Sequence, residues 1–282
     1  MDTARQALTD EKPIPLRHPW RWAAATLIAL LLVVLIRSVV GNSRFEWPVF
    51  AEYVFSEAVI GGVGRTIMLT VAAMIVGILL GVLIAVTRVS PNPLLSGFGW
   101  SYINFFRAVP VLVQLIFWYN LAALYPTLSL GVPFGPELYS ISANALVTPM
   151  TAALLGLGLN EGANMAEIVR GGLLSVDKGQ NDAAKALGMT RARTMYRIVL
   201  PQALRVIVPP TGNQVIMMLK MTSLVSLISM SDLLYTTQII SARTFQTIPL
   251  LMVAAAWYLA LTCILSVGQH FLERHFGRSH AA

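Results

Sequence analysis

The groups best placed to do chemistry in this 282-residue sequence are polar side chains set singly inside long apolar runs. Glu161 is the sharpest, in Leu159-Asn160-Glu161-Gly162-Ala163-Asn164. A charge held in a bilayer costs at least about 2.5–3.5 kcal/mol, so a retained one usually faces a cavity or a partner. A carboxylate there can pair with the ammonium of an amino acid or with a basic side chain. It can equally serve structure, as half of a buried ion pair or as a neutral acid. Asn160 and Asn164 lie beside it, and Thr222 and Ser223 can offer hydroxyls to a carboxylate or bond their own backbone. Arg107, close to Pro110 and Gln114, either faces an anionic group or bonds carbonyls that Pro110 frees at the inner interface, and the second is preferred. Lys220 is a further cation inside an apolar run. No catalytic set accompanies these groups, neither a nucleophile elbow nor His-Glu-x-x-His. His18, His270, His275 and His280 stand in the two tails without carboxylate or thiol clusters, so no metal site is expected.

The longest charged interval between apolar runs is Val176 to Pro201. Ala183, Ala184 and Leu187 form one small apolar face bounded by Asp182 and Lys185, which predicts a helix. Gly188 ends it in the left-handed conformation that helix exits favour, and Thr190 is placed to cap a second short helix. In that helix Met195, Ile198 and Val199 share a face, and Pro201 is expected to stop it. Two short amphipathic helices cannot bury both faces alone. An alanine face inserts little apolar area into lipid but lets another backbone approach closely, so docking onto a protein is favoured over adsorption.

These residues resemble the EAA loop of membrane permeases from ATP-binding-cassette importers. The pattern reads Asp182-Ala183-Ala184, then Gly188, then Ile198-Val199-Leu200-Pro201, with Asp182 in place of the usual Glu. Three further stretches are similar to the polar amino acid branch. Phe106-Arg107-Ala108-Val109-Pro110 through Gln114 has Ala-Val for Gly-Thr; the Asn160–Glu167 stretch has Asn164 where Tyr is usual; Leu219-Lys220-Met221-Thr222-Ser223 has Met221 for Asp or Asn. Together they span roughly residues 62–270.

Composition points to a membrane independently. Apolar residues make up 56% and charged residues 12%, against roughly half and a quarter in soluble chains. The net charge of +7 lies mostly between spans on alternate sides, the pattern of membrane orientation rather than of nucleic-acid binding. Cys263 stands alone, so no internal disulfide can form. No phosphate-binding loop and no soluble segment of domain size is present, so energy for any ATP-driven transport must come from another chain.

The expected fold is an all-α integral membrane protein of about six transmembrane helices, an importer permease core of five plus an N-terminal helix. The expected division is a cytoplasmic tail 1–19, the additional helix 20–40, a periplasmic segment 41–61, the core 62–270 with coupling loop 176–201, and a tail 271–282. Core spans are expected near 63–87, 100–124, 148–169, 205–230 and 249–269, with Gly77 and Gly81 allowing close helix approach. Basic residues concentrated in the N-terminal tail and in 170–205 put both termini and the loop in the cytoplasm. The resemblance implies a bacterial inner membrane location and a second permease copy or homologue. It also implies two ATPase subunits holding ATP and Mg, a periplasmic solute-binding protein above, and no cofactor in this chain. Membrane lipid surrounds it. A membrane-embedded enzyme, a scaffold subunit and an importer of another small solute are the alternatives.

Overall fold

A computed structural model describes residues 19–131 and 137–277. Of the expected tails 1–19 and 271–282, residues 1–18 and 278–282, with His18 and His280, lie outside the described residues, as do residues 132–136. The chain divides into two units, residues 1–47 and 48–282. In the first, α1 (Pro19–Gly41) runs for 23 residues, about 35 Å at 1.5 Å per residue and enough for a hydrocarbon core of about 30 Å. A 3₁₀ turn, Ser43–Phe45, follows with Asn42 as its cap, and the Trp47 indole donates to the Val39 carbonyl at 3.4 Å.

The second unit begins within α2 (Trp47–Tyr53) and is built on α3 (Glu57–Arg88) and α6 (Pro149–Leu174). Between them in sequence lie α4 (Pro93–Ala108), α5 (Val111–Tyr119) and a hairpin of β1 (Thr127–Gly131) and β2 (Glu137–Ser142), paired from Thr127↔Ser142 to Gly131↔Glu137. The hairpin lies between the spans expected near 100–124 and 148–169. After α6 come α7 (Lys178–Ala186), α8 (Arg191–Thr194), a π turn Met195–Val199 and α9 (Leu200–Met221). A 3₁₀ segment Thr222–Ile228, α10 (Leu233–Thr244) and α11 (Thr247–Gly277) complete it.

The pair α3 and α6 makes the largest contact in the fold, and its glycines explain why. A Cβ on Gly77 would lie 2.5 Å from Glu161 Cγ, and one on Gly81 would lie 3.0 Å from the backbone nitrogen of Ala166 and collide with the Met165 side chain. Gly158 and Gly162 answer from α6 against Val76 and Leu80. Contacts climb both helices together, so α3 and α6 run parallel. Gly99 lies against Arg88, and Gly172 against Ile207, so α4 and α9 run the other way. In α11, Val253 and Ala254 cluster with Val59 and Val63 near the start of α3. The two-helix loop therefore lies at the same end of the unit as the C-terminal end of α11.

Three described helices are long and apolar enough to cross a membrane, and up to five spans result if two bent pairs each count as one. The helix α6 is outside that set although its 26 residues reach about 39 Å. Its polar residues turn into the protein: Asn160 and Glu161 are buried. Internal partners replace lipid along this helix, so composition alone under-reads it.

Two expected spans are not continuous. The span placed at 100–124 is α4 and α5, bent by 97° at Val109 and Pro110. Val109 is extended (φ −85, ψ 127), as a residue before proline tends to be. Between the spans expected near 205–230 and 249–269 the chain forms α10, bent by 44° from the preceding helical run. Pro209 and Pro210 sit inside α9, and the departures from α geometry fall at its two ends. The helix α11 continues to Gly277, past the expected boundary at 270.

Candidate functional site

The two-helix loop is built by local bonds. Asp177 caps α7 through the Gly179 N–H at 2.6 Å. Gly188 takes φ +70, its N–H donates to Lys185, and the Met189 N–H donates to Ala184, the paired closure of a left-handed helix exit. Thr190 accepts from the Arg193 N–H at 3.4 Å as the cap of α8. Asp182 pairs with Lys185 at 3.1 Å on the surface.

The outward face differs from the expected one. Ala184 is 1% exposed while Leu187 is 81% exposed, because α7 folds back on the π turn and Ala184 is consumed inside the chain. Ala183 stays exposed. Met195 is exposed as well, leaving Ile198 and Val199 to pack inward.

Nor does Pro201 stop the second helix. Leu200 donates to Met195, five residues back, and the Gln202 side chain reaches the Ile198 carbonyl at 3.0 Å. The wide turn spares the hydrogen bond that proline cannot make. Arg191 to Ile228 is thus one run of helical turns joining the loop to the far end of α9.

At the elbow of α4 and α5, Pro110 has no N–H to give Phe106. That carbonyl accepts instead from Asn160 Nδ2 at 2.6 Å and Gln114 Nε2 at 2.9 Å. Gln114 Nε2 also donates to the Val109 carbonyl at 2.9 Å. Arg107, expected to take this role, is exposed. Two amides do the work because their short side chains reach inward and carry no charge to bury.

The remaining candidates fall in separate places. Glu161, midway along α6, is 1% exposed, covered by Gly77 of α3, and its Oε1 has no hydrogen-bond partner. Asn164 is half-buried and donates to Asn160 Oδ1 at 3.4 Å. The Thr222 and Ser223 hydroxyls each donate at 2.7 Å to carbonyls of their own helix, Leu219 and Lys220. Lys220 is exposed. The structure therefore joins Asn160, Asn164 and Gln114 at the elbow, and keeps Glu161 on the α3 face and the hydroxyls on the 3₁₀ segment that follows α9.

A family model described as "binding-protein-dependent transport system inner membrane component" matches residues 77–278. This chain belongs to that family. The permease is 46% identical over 269 residues to the arginine transport system permease protein ArgU of Corynebacterium glutamicum, covering 94% of this chain and 84% of the relative. It is 34% identical to the L-cystine transport system permease protein TcyB of Bacillus subtilis, over 82% of this chain and 88% of that one. A crystal structure of an amino acid ABC transporter with histidines matches with TM-score 0.66 at 33% identity, covering 77% of this chain and 94% of that chain. The permease is a multi-pass transport subunit of an ATP-binding-cassette importer, in a family of transporters rather than enzymes.

Sequence reasoning missed a polar knot of the permease. Arg65 Nε donates to the Ser231 carbonyl, and the Leu233 N–H donates to Thr66 Oγ1 at 3.1 Å. Asp232, fully buried, accepts from the Tyr235 N–H at 2.8 Å and the Tyr258 hydroxyl at 3.1 Å. The knot ties the third turn of α3 and the first turn of α10 to α11, and fixes the bend where the α9 run ends. Asp232 ahead of an apolar helix was the available signal, since it reads as a cap.

Proposed function

We propose that this permease carries a polar amino acid or a close chemical relative inward across the bacterial inner membrane, as one of a pair formed with a second copy or a homologue. Two ATPase subunits holding ATP and Mg grip the loop of Asp182, Ala183, Leu187 and Gly188. A periplasmic solute-binding protein delivers substrate at the other end, and both termini lie in the cytoplasm. What supports the reading most is mechanical continuity: the exposed Leu187 turn leads into an unbroken helical run from Arg191 to Ile228. A displacement imposed on the turn is transmitted along that run rather than absorbed in a flexible joint. The substrate class follows the relatives, whose names specify arginine and L-cystine.

Within this reading Glu161 is the counter-charge for a basic group of the substrate, reached when α3 and α6 part at Gly77. Asn160 and Asn164 position the elbow, and Thr222 and Ser223 line the path where their hydroxyls turn from their own carbonyls. Cysteine crosslinking tests the docking. In the assembled complex Leu187→Cys is expected to crosslink to the ATPase subunit and Ala184→Cys, being buried, is not. A transporting complex in which Leu187→Cys gives no crosslink, or Ala184→Cys gives the stronger one, contradicts the proposed docking face.

A further inference from the structure

The helix α9 carries two adjacent prolines, Pro209 and Pro210, inside its length. Neither has an N–H, so the carbonyls of Arg205 and Val206 go without the donor that an α-helix supplies four residues on. At this weak point α11 reaches across. Gln269 Nε2 donates to the Pro209 carbonyl at 2.8 Å and to Glu273 Oε1, one turn further along α11, at 2.7 Å. Gly212 makes the approach possible, since a Cβ there would collide with Gln269 Oε1. Gln269 is 7% exposed. With both amide hydrogens spent, its Oε1 is buried without a partner. An unpaired buried acceptor destabilises, and an apolar side chain of similar volume would fill the place without that cost. The amide therefore serves the direction of its bond and not stability.

A second bond ties α11 to the same helical run at its far end. The Tyr258 hydroxyl donates to Asp232 at 3.1 Å, and Asp232 caps α10 just beyond the end of the run at Ile228. Tyr258 and Gln269 stand about three turns apart on α11 and so share a face. Toward α3 and α6 the contacts of α9 are of another kind. Ala203 and Ile207 cluster with Ala85, Met165 and Val169, and an apolar groove of about 810 Å³ runs between Val86, Val169 and Leu204. Apolar contacts have no direction and can slide, whereas a hydrogen bond of good geometry must break before its partners move past each other.

Resting on the reading that an ATPase moves the loop, we infer that Gln269 is a positioning residue of the transport cycle: it fastens α11 to α9 at the double proline, so that the two helices travel as one body. The Asp232–Tyr258 pair holds them together at the far end, and the apolar seam toward α3 and α6 takes up the movement. A pull on the loop then reaches Ile228 although two prolines interrupt the hydrogen bonds of α9.

The test compares uptake of labelled L-arginine per ATP hydrolysed, in proteoliposomes carrying the permease with its ATPase and solute-binding protein. Gln269→Leu is expected to lower that ratio about threefold to tenfold, the worth of one buried hydrogen bond, and to leave the unfolding midpoint in detergent unchanged or higher. A second variant restores the tie by other means. Gly212→Cys with Gln269→Cys, made together with Cys263→Ala because Cys263 is exposed, is bridged by a short bifunctional thiosulfonate that reductant cleaves. Unbridged, it is expected to couple as poorly as Gln269→Leu; bridging raises the ratio about threefold or more, and reductant lowers it again. A wild-type ratio in Gln269→Leu overturns the inference, as does a lower midpoint with uptake and hydrolysis lost together. So does a cysteine pair that does not bridge, or a bridge that stops uptake or leaves the ratio low. Each of these leaves ATP-driven import standing. Wild-type uptake that is absent or independent of the ATPase overturns both.

Discussion

Gly188→Val is expected to abolish uptake while leaving the permease inserted and assembled. Gly188 sits at φ +70, where glycine is at ease and a β-branched residue is an outlier. Nothing lies within 4 Å of the Cβ that the substitution adds, so the effect comes from backbone strain rather than a clash. Strain of this kind is worth about 1–3 kcal/mol, and about 2 kcal/mol shifts a turn's population roughly thirtyfold. Two backbone bonds close the turn at the glycine, Gly188 to Lys185 and Met189 to Ala184, so strain there rearranges it and takes the exposed Leu187 out of position. The helices that cross the bilayer do not depend on it. Uptake assays and membrane fractionation on one preparation check both halves; uptake at the wild-type level would show that the turn transmits nothing.

The second large effect is expected at the α3–α6 seam. In Gly81→Leu the new side chain meets the Ala166 backbone nitrogen at 3.0 Å, and a helix backbone cannot step aside without the whole helix moving. Overpacking costs about 1–3 kcal/mol where side chains can adjust, and occasionally more. At the upper figure, with about 2–4 °C lost per kcal/mol in chains of this order, the unfolding midpoint falls by roughly 6–12 °C. Gly64→Leu is the matched control. It lies on the same helix with nothing within 4 Å of its Cβ, and replacing a mid-helix glycine there removes a helix-propensity penalty of about 1 kcal/mol. Thermal unfolding of the two variants in detergent decides it. Equal midpoints would mean that α3 and α6 are not packed as described.

The two predictions differ in how far the sequence alone reached. Gly77 and Gly81 are four residues apart, and that spacing already specifies a close helix contact; only the partner, α6, needed the structure. Gly188 and Thr190 were readable for the same reason, since exit and cap are local chemistry. The elbow was not. Val109 and Pro110 stand inside an apolar run that reads as one span, and what lets the chain turn by 97° is a pair of amides, one of them fifty residues on in α6. Pro201 misled in the opposite sense: a proline normally ends a helix, but a π turn and the Gln202 side chain together carry the run through.

Ala184 shows the limit of an amphipathic face. Its small side chain marks a close approach, and the pattern cannot say whether the approaching backbone belongs to another protein or to the chain itself. The structure assigns Ala184 to an internal contact and leaves Leu187 outside. Glu161 is a similar case. Its isolation among apolar residues signalled importance, while its placement under Gly77 depends on a helix pairing that residue types do not encode. The groups that the elbow unites, Asn160, Asn164 and Gln114, read in the sequence as members of two different stretches.

We propose that a separate ATPase drives this membrane subunit through the loop at Leu187 and Gly188. The most direct measurement of this is uptake of labelled L-arginine into proteoliposomes carrying the permease, its ATPase and the solute-binding protein. The expected result is uptake that requires hydrolysable ATP on the ATPase side and vanishes when the ATPase is left out. Uptake that persists at the same rate without the ATPase would contradict it.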